Sequence, residues 1–179
     1  MRDILISGAS IAGPSLARWL HRHGFNPVLV AKAPAPRPGG HAIDIRGAAL
    51  VVVRAMGLEG RIRDKRTRMT GVSKLNAEGV EVWRSEKMTI SGGSFDKEAV
   101  EIPRDDLSGI LQSALPGEIE INYGDSVSAL TQDDDGVTVT FEKAPARKFD
   151  FVVGADGLGS NMRKLVFGPD SAFVHPFNM

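Results

Sequence analysis

The sequence predicts an α/β fold: a parallel sheet opened by a strand–helix–strand unit, with part of an antiparallel sheet added to it. Three observations carry that expectation. The apolar run Ile4-Leu5-Ile6 enters a glycine-framed turn, then a helical pattern, then a second apolar run, Val28-Leu29-Val30, which is how a doubly wound sheet begins. A second run of this kind, Phe151-Val152-Val153-Gly154-Ala155-Asp156-Gly157, stands near the other end of the chain. Between them, residues 70–102 and 118–142 place short strand-like runs around turn signals, as antiparallel hairpins do.

Taken in order, residues 3–7 read as a buried parallel strand. Residues 11–23 read as a helix with Leu16, Trp19 and Leu20 on one face, ended by Gly24. Residues 33–40, rich in proline and glycine, form a loop. Ile43-Asp44-Ile45 is a short strand, and Gly47 to Met56 a helix. Residues 72–76 and 80–83 flank Ala77-Glu78-Gly79 as a hairpin, and Ala99 to Ile102 adds a strand to the same antiparallel sheet. Pro103 starts a helix through Leu115, with Asp105 and Asp106 where the helix dipole favours acid. Val127–Leu130 and Val137–Phe141 flank the acidic turn Asp133-Asp134-Asp135-Gly136. Phe149 to Val153 reads as one buried strand, and a helix begins near Ser160 or Asn161.

Composition narrows the class. Of 179 residues, 22 are Lys or Arg and 22 are Asp or Glu, so the balance gives no electrostatic case for nucleic acid. Arg61, Arg63, Lys65, Arg66 and Arg68 are interrupted by acids and read as a solvated helix face. With no cysteine there is no disulfide, thiol nucleophile or cysteine metal site. His21, His23, His41 and His175 lack metal-ligand spacing, so no metal is expected. The longest apolar run, Ala48 to Val53, is too short to span a bilayer. Met1-Arg2-Asp3 leads straight into the first strand without a leader pattern, and the expectation is a soluble cytoplasmic protein with neither nucleic-acid nor membrane partners.

The chemistry lies in the glycine turns. In residues 8–13, Gly8 allows the tight turn and Gly13 allows close packing of helix on strand. The backbone N–H groups at Ser10 and Ile11 then face a diphosphate at the helix start. Ser10 stands where the middle glycine of G-x-G-x-x-G is expected. At the second turn Asp156 leaves the end of a parallel strand. There a carboxylate suits ribose or ribityl hydroxyls, since when ionised it only accepts hydrogen bonds; Asp156 as a helix cap is an equal reading. A short-chain dehydrogenase would need Tyr-x-x-x-Lys, but position 127 is valine after the lone Tyr123.

Together these segments resemble the flavoprotein aromatic hydroxylases, the p-hydroxybenzoate-hydroxylase-like FAD monooxygenases. GASIAG (residues 8–13) resembles their first FAD motif, and GADGLGSNMR (154–163) their DG motif, which implies Asp156 and Gly157 near FAD. RPGGHAIDIRGAA (37–49) resembles the segment whose arginine, here Arg46, lies beside the flavin; a surface salt bridge is the other reading of Arg46. EIPRDDLSGIL (101–111) resembles the helix start whose arginine, here Arg104, contacts the ribityl–phosphate region; Arg104 as a mere flank of the helix cap is its alternative. The resemblance also places the backbone near Val127 against adenine. It implies a Rossmann-like FAD-binding domain over 1–70 and 100–168, and parts of a substrate-binding β-sheet domain over 71–99 and 169–179. It implies NAD(P)H as a transient reductant and hydroxylation of a small aromatic or polyketide-like substrate through a C4a-hydroperoxyflavin, with no side-chain nucleophile.

Two departures qualify it. The family's second strand ends on a glutamate that holds the adenosine ribose; here Ala31 and Lys32 stand there. A lost charge-assisted hydrogen bond removes roughly 1.5–3 kcal/mol, so weak FAD binding is expected, and a cation beside a missing acid permits a 2′-phosphorylated ribose. The family's Gly-Asp pair that grips the ribityl chain comes later than this sequence reaches, and Gly124-Asp125 has the wrong context. The sequence therefore reads as a truncated N-terminal half, inactive alone. It would be completed by a C-terminal chain or a homo-oligomer, or serve as a non-catalytic, partner-dependent nucleotide-binding module.

Overall fold

The computed structural model describes residues 1–68, 70–87 and 98–175. The chain folds as two compact units, residues 1–38 with 111–179 and residues 39–110. Residues 88–97 and 176–179, within the stretches assigned above to a substrate domain, lie outside the described residues.

The first unit is built on four parallel strands. β1 (Asp3–Ser7), β2 (Asn26–Ala31), β7 (Glu120–Tyr123) and β11 (Phe151–Gly154) lie in the order β11-β1-β2-β7. β1 and β2 are almost continuously buried, as strands covered on both faces must be. Alternation divides their side chains. Ile4, Ile6 and Leu29 face a layer with Ala17, Leu16 and Leu20 of helix α1 (Ala12–Arg22). Leu5, Val28 and Val30 face Val139 and Phe149 of a second sheet and Met162 of helix α5 (Asn161–Phe167). That second sheet is antiparallel: β8 (Val127–Asp133), β9 (Gly136–Phe141) and β10 (Arg147–Phe149) in the order β10-β9-β8.

The second unit holds two ribbons. β3 (Ala42–Ile45) pairs antiparallel with β6 (Val100–Pro103), and β4 (Val72–Leu75) with β5 (Glu81–Ser85). Helices α2 (Ala48–Ala55) and α3 (Glu59–Asp64) bury Leu50, Val53 and Ile62. Helix α4 (Arg104–Ser113) follows β6 directly and continues into the first unit's sequence.

The element reading needs three corrections. The single strand expected over 149–153 is two strands in two sheets, broken at Asp150. There the Asp150 N–H donates to the Asp3 carbonyl at 2.9 Å and its Oδ2 accepts the Asp3 N–H at 2.7 Å. β11 is also not buried, for it is the outer strand of its sheet and Phe151 is 49% exposed. Finally, the strand near residues 99–102 joins β3, not the β4–β5 hairpin, because Ile43 and Ile102 are in register and Ile102 is buried.

Candidate functional site

The four strands of the first unit's parallel sheet run the same way, so their carboxyl ends share one edge. The chain passes β1, β2 and β7 in one direction and then returns to the other side of β1 as β11. The order reverses between β1 and β11, and ligands of open α/β sheets bind at the crevice such a reversal creates.

The two glycine turns meet there. Ser7 and Gly154 are register partners, and the Ala155 N–H donates to the Ser7 carbonyl at 2.7 Å. Gly8, at φ 118°, sits so close to the second turn that a Cβ on it would lie 2.3 Å from the Ala155 carbonyl oxygen and 2.9 Å from Asp156 N. Its N–H donates to the Val30 carbonyl at 2.8 Å, which ties the turn to β2. At Gly13 a Cβ would fall 1.8 Å from the Gly8 carbonyl oxygen. The roles given to Gly8 and Gly13 thus have a steric basis, and the neighbour that crowds Gly8 is the other turn.

The start of α1 suits an anion. Ile11, at the N-cap position, makes no side-chain cap, and the first turn holds no acid. The helix's positive end therefore meets no carboxylate of its own. These features fit the diphosphate of a dinucleotide. A side chain the sequence reading missed braces this turn. Gln112 Nε2 donates to the Ala9 carbonyl at 2.6 Å, and its Oε1 accepts from the Tyr123 hydroxyl at 2.8 Å. Burial pushes the Tyr123 phenol up, which keeps it protonated and donating.

Asp156 behaves as a cap. Its Oδ1 accepts from Ser160 Oγ at 2.5 Å and its Oδ2 from the Met162 N–H at 3.0 Å. Ser160 Oγ in turn accepts the Arg163 N–H at 3.0 Å. The carboxylate is half-buried, and each oxygen keeps acceptor capacity beyond these bonds, so capping and hydroxyl binding are compatible. Gly157 beside it is exposed. Val127, fully buried, gives its carbonyl to Asn161 Nδ2 at 2.7 Å. Asn161, also unforeseen, thereby fixes α5 to the start of β8.

Ala31 closes β2 and Lys32 follows it, exposed. Next to them Asp125 is buried and accepts the N–H groups of Ser126, Lys143 and Ala144 at 2.8, 3.0 and 3.0 Å. Burial pushes this carboxyl up, but the three donors and the Lys143 charge more than reverse that, so it titrates below the usual carboxylate range. Gly8, Ser10, Ile11, Gly13, Ala31, Lys32, Val127, Asp156 and Gly157 thus all belong to the first unit.

Arg46 and Arg104 belong to the second. Arg46 follows β3 and Arg104 follows β6, at opposite ends of an antiparallel ribbon. The four-residue length of the ribbon lies between them. Both are exposed. Asp105, next to Arg104, accepts the Gly39 N–H at 2.8 Å, a bond that holds its carboxyl below the ordinary value.

A family model described as FAD binding domain matches residues 1–169, and the chain belongs to that family. Protein Rv1260 of Mycobacterium tuberculosis, itself uncharacterised, is 46% identical over 174 residues, covering 97% of this chain and 47% of the relative. A flavin-dependent monooxygenase from an unknown prokaryotic organism is 40% identical over 169 residues, covering 94% and 43%. The crystal structure of tetracycline destructase Tet(55) superposes with a TM-score of 0.82 at 38% identity, covering 95% of this chain and 42% of that one. CtdE in complex with FAD shares the fold, with a TM-score of 0.77 at 19% identity, covering 94% and 42%. The chain spans about half the length of the curated relatives it matches. No helix among the described residues is long and apolar enough to cross a membrane.

Proposed function

We propose that this chain is the cofactor-binding portion of an FAD-dependent monooxygenase that uses NAD(P)H and hydroxylates a small aromatic or polyketide-like molecule. The observation that carries it is the contact of the two glycine turns at the β1/β11 reversal. The relative named a flavin-dependent monooxygenase supports the activity, and the likeness to a tetracycline destructase supports a ring-bearing substrate.

When bound, FAD supplies the redox chemistry, accepting a hydride equivalent and activating oxygen. The chain's own residues bind and orient. The backbone N–H groups from Ser10 to Gly13, at the turn into α1, face the diphosphate, and Gln112 holds the Ala9 carbonyl so that the turn keeps its shape. Asp156 accepts from ribityl hydroxyls with the acceptor capacity its cap leaves over. The backbone near Val127, whose side chain is buried, meets adenine. Arg46 serves the flavin end and Arg104 the ribityl–phosphate region, the roles that the family resemblance gives them. Residues 71–99 begin the substrate domain.

A second reading is a nucleotide-binding portion that works only with a complementary chain. It is favoured by the apolar surface of α5 and β11, where Phe151, Val166 and Phe167 are exposed. Such surface marks an interface. Flavin fluorescence during titration of FAD with the purified chain tests the first reading; saturable binding is expected, and its absence with protein in large excess overturns it. NAD(P)H consumption that appears only when the remaining half of a relative is added supports the second.

A further inference from the structure

The end of β2 is where this chain departs from what a ribose with free hydroxyls needs. In doubly wound folds an acid at this point accepts a hydrogen bond from the ribose 2′-hydroxyl, whereas a nearby cation accommodates a 2′-phosphate. β2 ends on Ala31, whose side chain accepts nothing. Lys32 follows it, exposed, and pairs with no carboxylate among the described residues.

A second ammonium, from another element, lies beside the segment that follows β2. Gly124 N–H donates to the Ala33 carbonyl at 2.9 Å and Asp125 N–H to the Ala31 carbonyl at 3.2 Å, so residues 31–33 and 124–125 lie side by side. Lys143, in the turn between β9 and β10, donates from Nζ to the Gly124 carbonyl. Asp125, which feels the charge of Lys143, is buried and directed at three backbone donors. Lys143 makes no ion pair with it or with any other carboxylate among the described residues. Two lysines therefore stand against one inward-facing carboxylate where a ribose-binding acid is absent.

We propose that this edge binds an adenosine whose ribose carries a 2′-phosphate, the NADP(H) class of dinucleotide, with Lys32 and Lys143 as the cations for that phosphate. The ligand competes with FAD for the same cradle, so this binding is inhibitory and separate from the transient approach of NAD(P)H to bound FAD, and the proposal rests on the reading of the β1 turn as a diphosphate site. A phosphate gains charge-assisted bonds from two ammonium groups, while a plain 2′-hydroxyl finds no acceptor at Ala31. The balance of affinities thus inverts relative to a site ending in glutamate.

Calorimetric titration of the full chain with NADP⁺, NAD⁺ and FAD tests this, since the first two differ only in the 2′-phosphate. NADP⁺ is expected to bind at least about tenfold more tightly than NAD⁺, and the advantage falls as salt is raised. Lys32→Ala and Lys143→Ala each shrink it, and Ala31→Glu reverses it, with circular dichroism melts reporting that each variant is folded. Equal affinity for NADP⁺ and NAD⁺, or a preference that survives both lysine variants, overturns the proposal. FAD binding without NADP⁺ binding overturns it too, yet leaves the diphosphate cradle standing. Failure of all three ligands to bind overturns both.

Discussion

A Cβ on residue 13 would sit 1.8 Å from a backbone oxygen, and no rotamer relieves a clash with backbone. Gly13→Ala is therefore expected to destabilise by about 3 kcal/mol or more, since overpacking against backbone exceeds the ordinary range for added methyls; denaturant unfolding measures it. Gln112→Ala is expected to leave the chain folded and weaken FAD binding about tenfold, because the Ala9 carbonyl loses its brace; flavin fluorescence titration reads this directly. For Asp125 the sign follows from its depressed pKa. The stabilisation it contributes is full above its unfolded value and disappears as pH falls through the lower folded value. Asp125→Asn should thus lower the melting temperature at neutral pH, with the gap to wild type starting to narrow only below about pH 4 and closing as pH falls through the depressed folded value. Gly8 and Gly13 were legible in the sequence because their constraint shows as local spacing. Gln112, Asn161 and Asp125 were not, for each acts on a partner far along the chain: Gln112 on Ala9, 103 residues away.

Among elements, α5 is the most directly tied to the site. Ser160 caps it and also donates to Asp156, so the cap and the candidate ribityl acceptor form one network. Ser160→Ala is expected to cost about 1 kcal/mol, a fall of about 2–4 °C in melting temperature for a chain of this size. Calorimetry measures it. The βαβ opening, the 127–141 hairpin and the start of α5 could be read from pattern, because turn residues and caps are local. The break at Asp150 could not. An unbroken apolar run looks the same whether it serves one sheet or two, and only pairing of Asp150 with Asp3 shows where the chain changes partners. Nor did the pattern show β7 as a parallel neighbour of β2, since Glu120-Ile121-Asn122-Tyr123 is short and mixed in polarity.

At the level of the first unit, strand order makes the site. No local signal states that β11 lies beside β1, yet that adjacency brings residues 8 and 155 within a few ångströms after nearly 150 residues of intervening chain. The family resemblance anticipated it; composition and periodicity did not. The division of the arginines between ends of one ribbon likewise depends on β3–β6 pairing, which a sequence pattern leaves open.

The joining of the two glycine turns into one diphosphate cradle is tested most directly by backbone amide NMR during titration with ADP. Shifts concentrated at Gly8–Gly13 and Ala155–Gly159, saturating together with a single affinity, are the predicted result. Shifts at only one turn, or none at either while ADP binds elsewhere, would contradict the account.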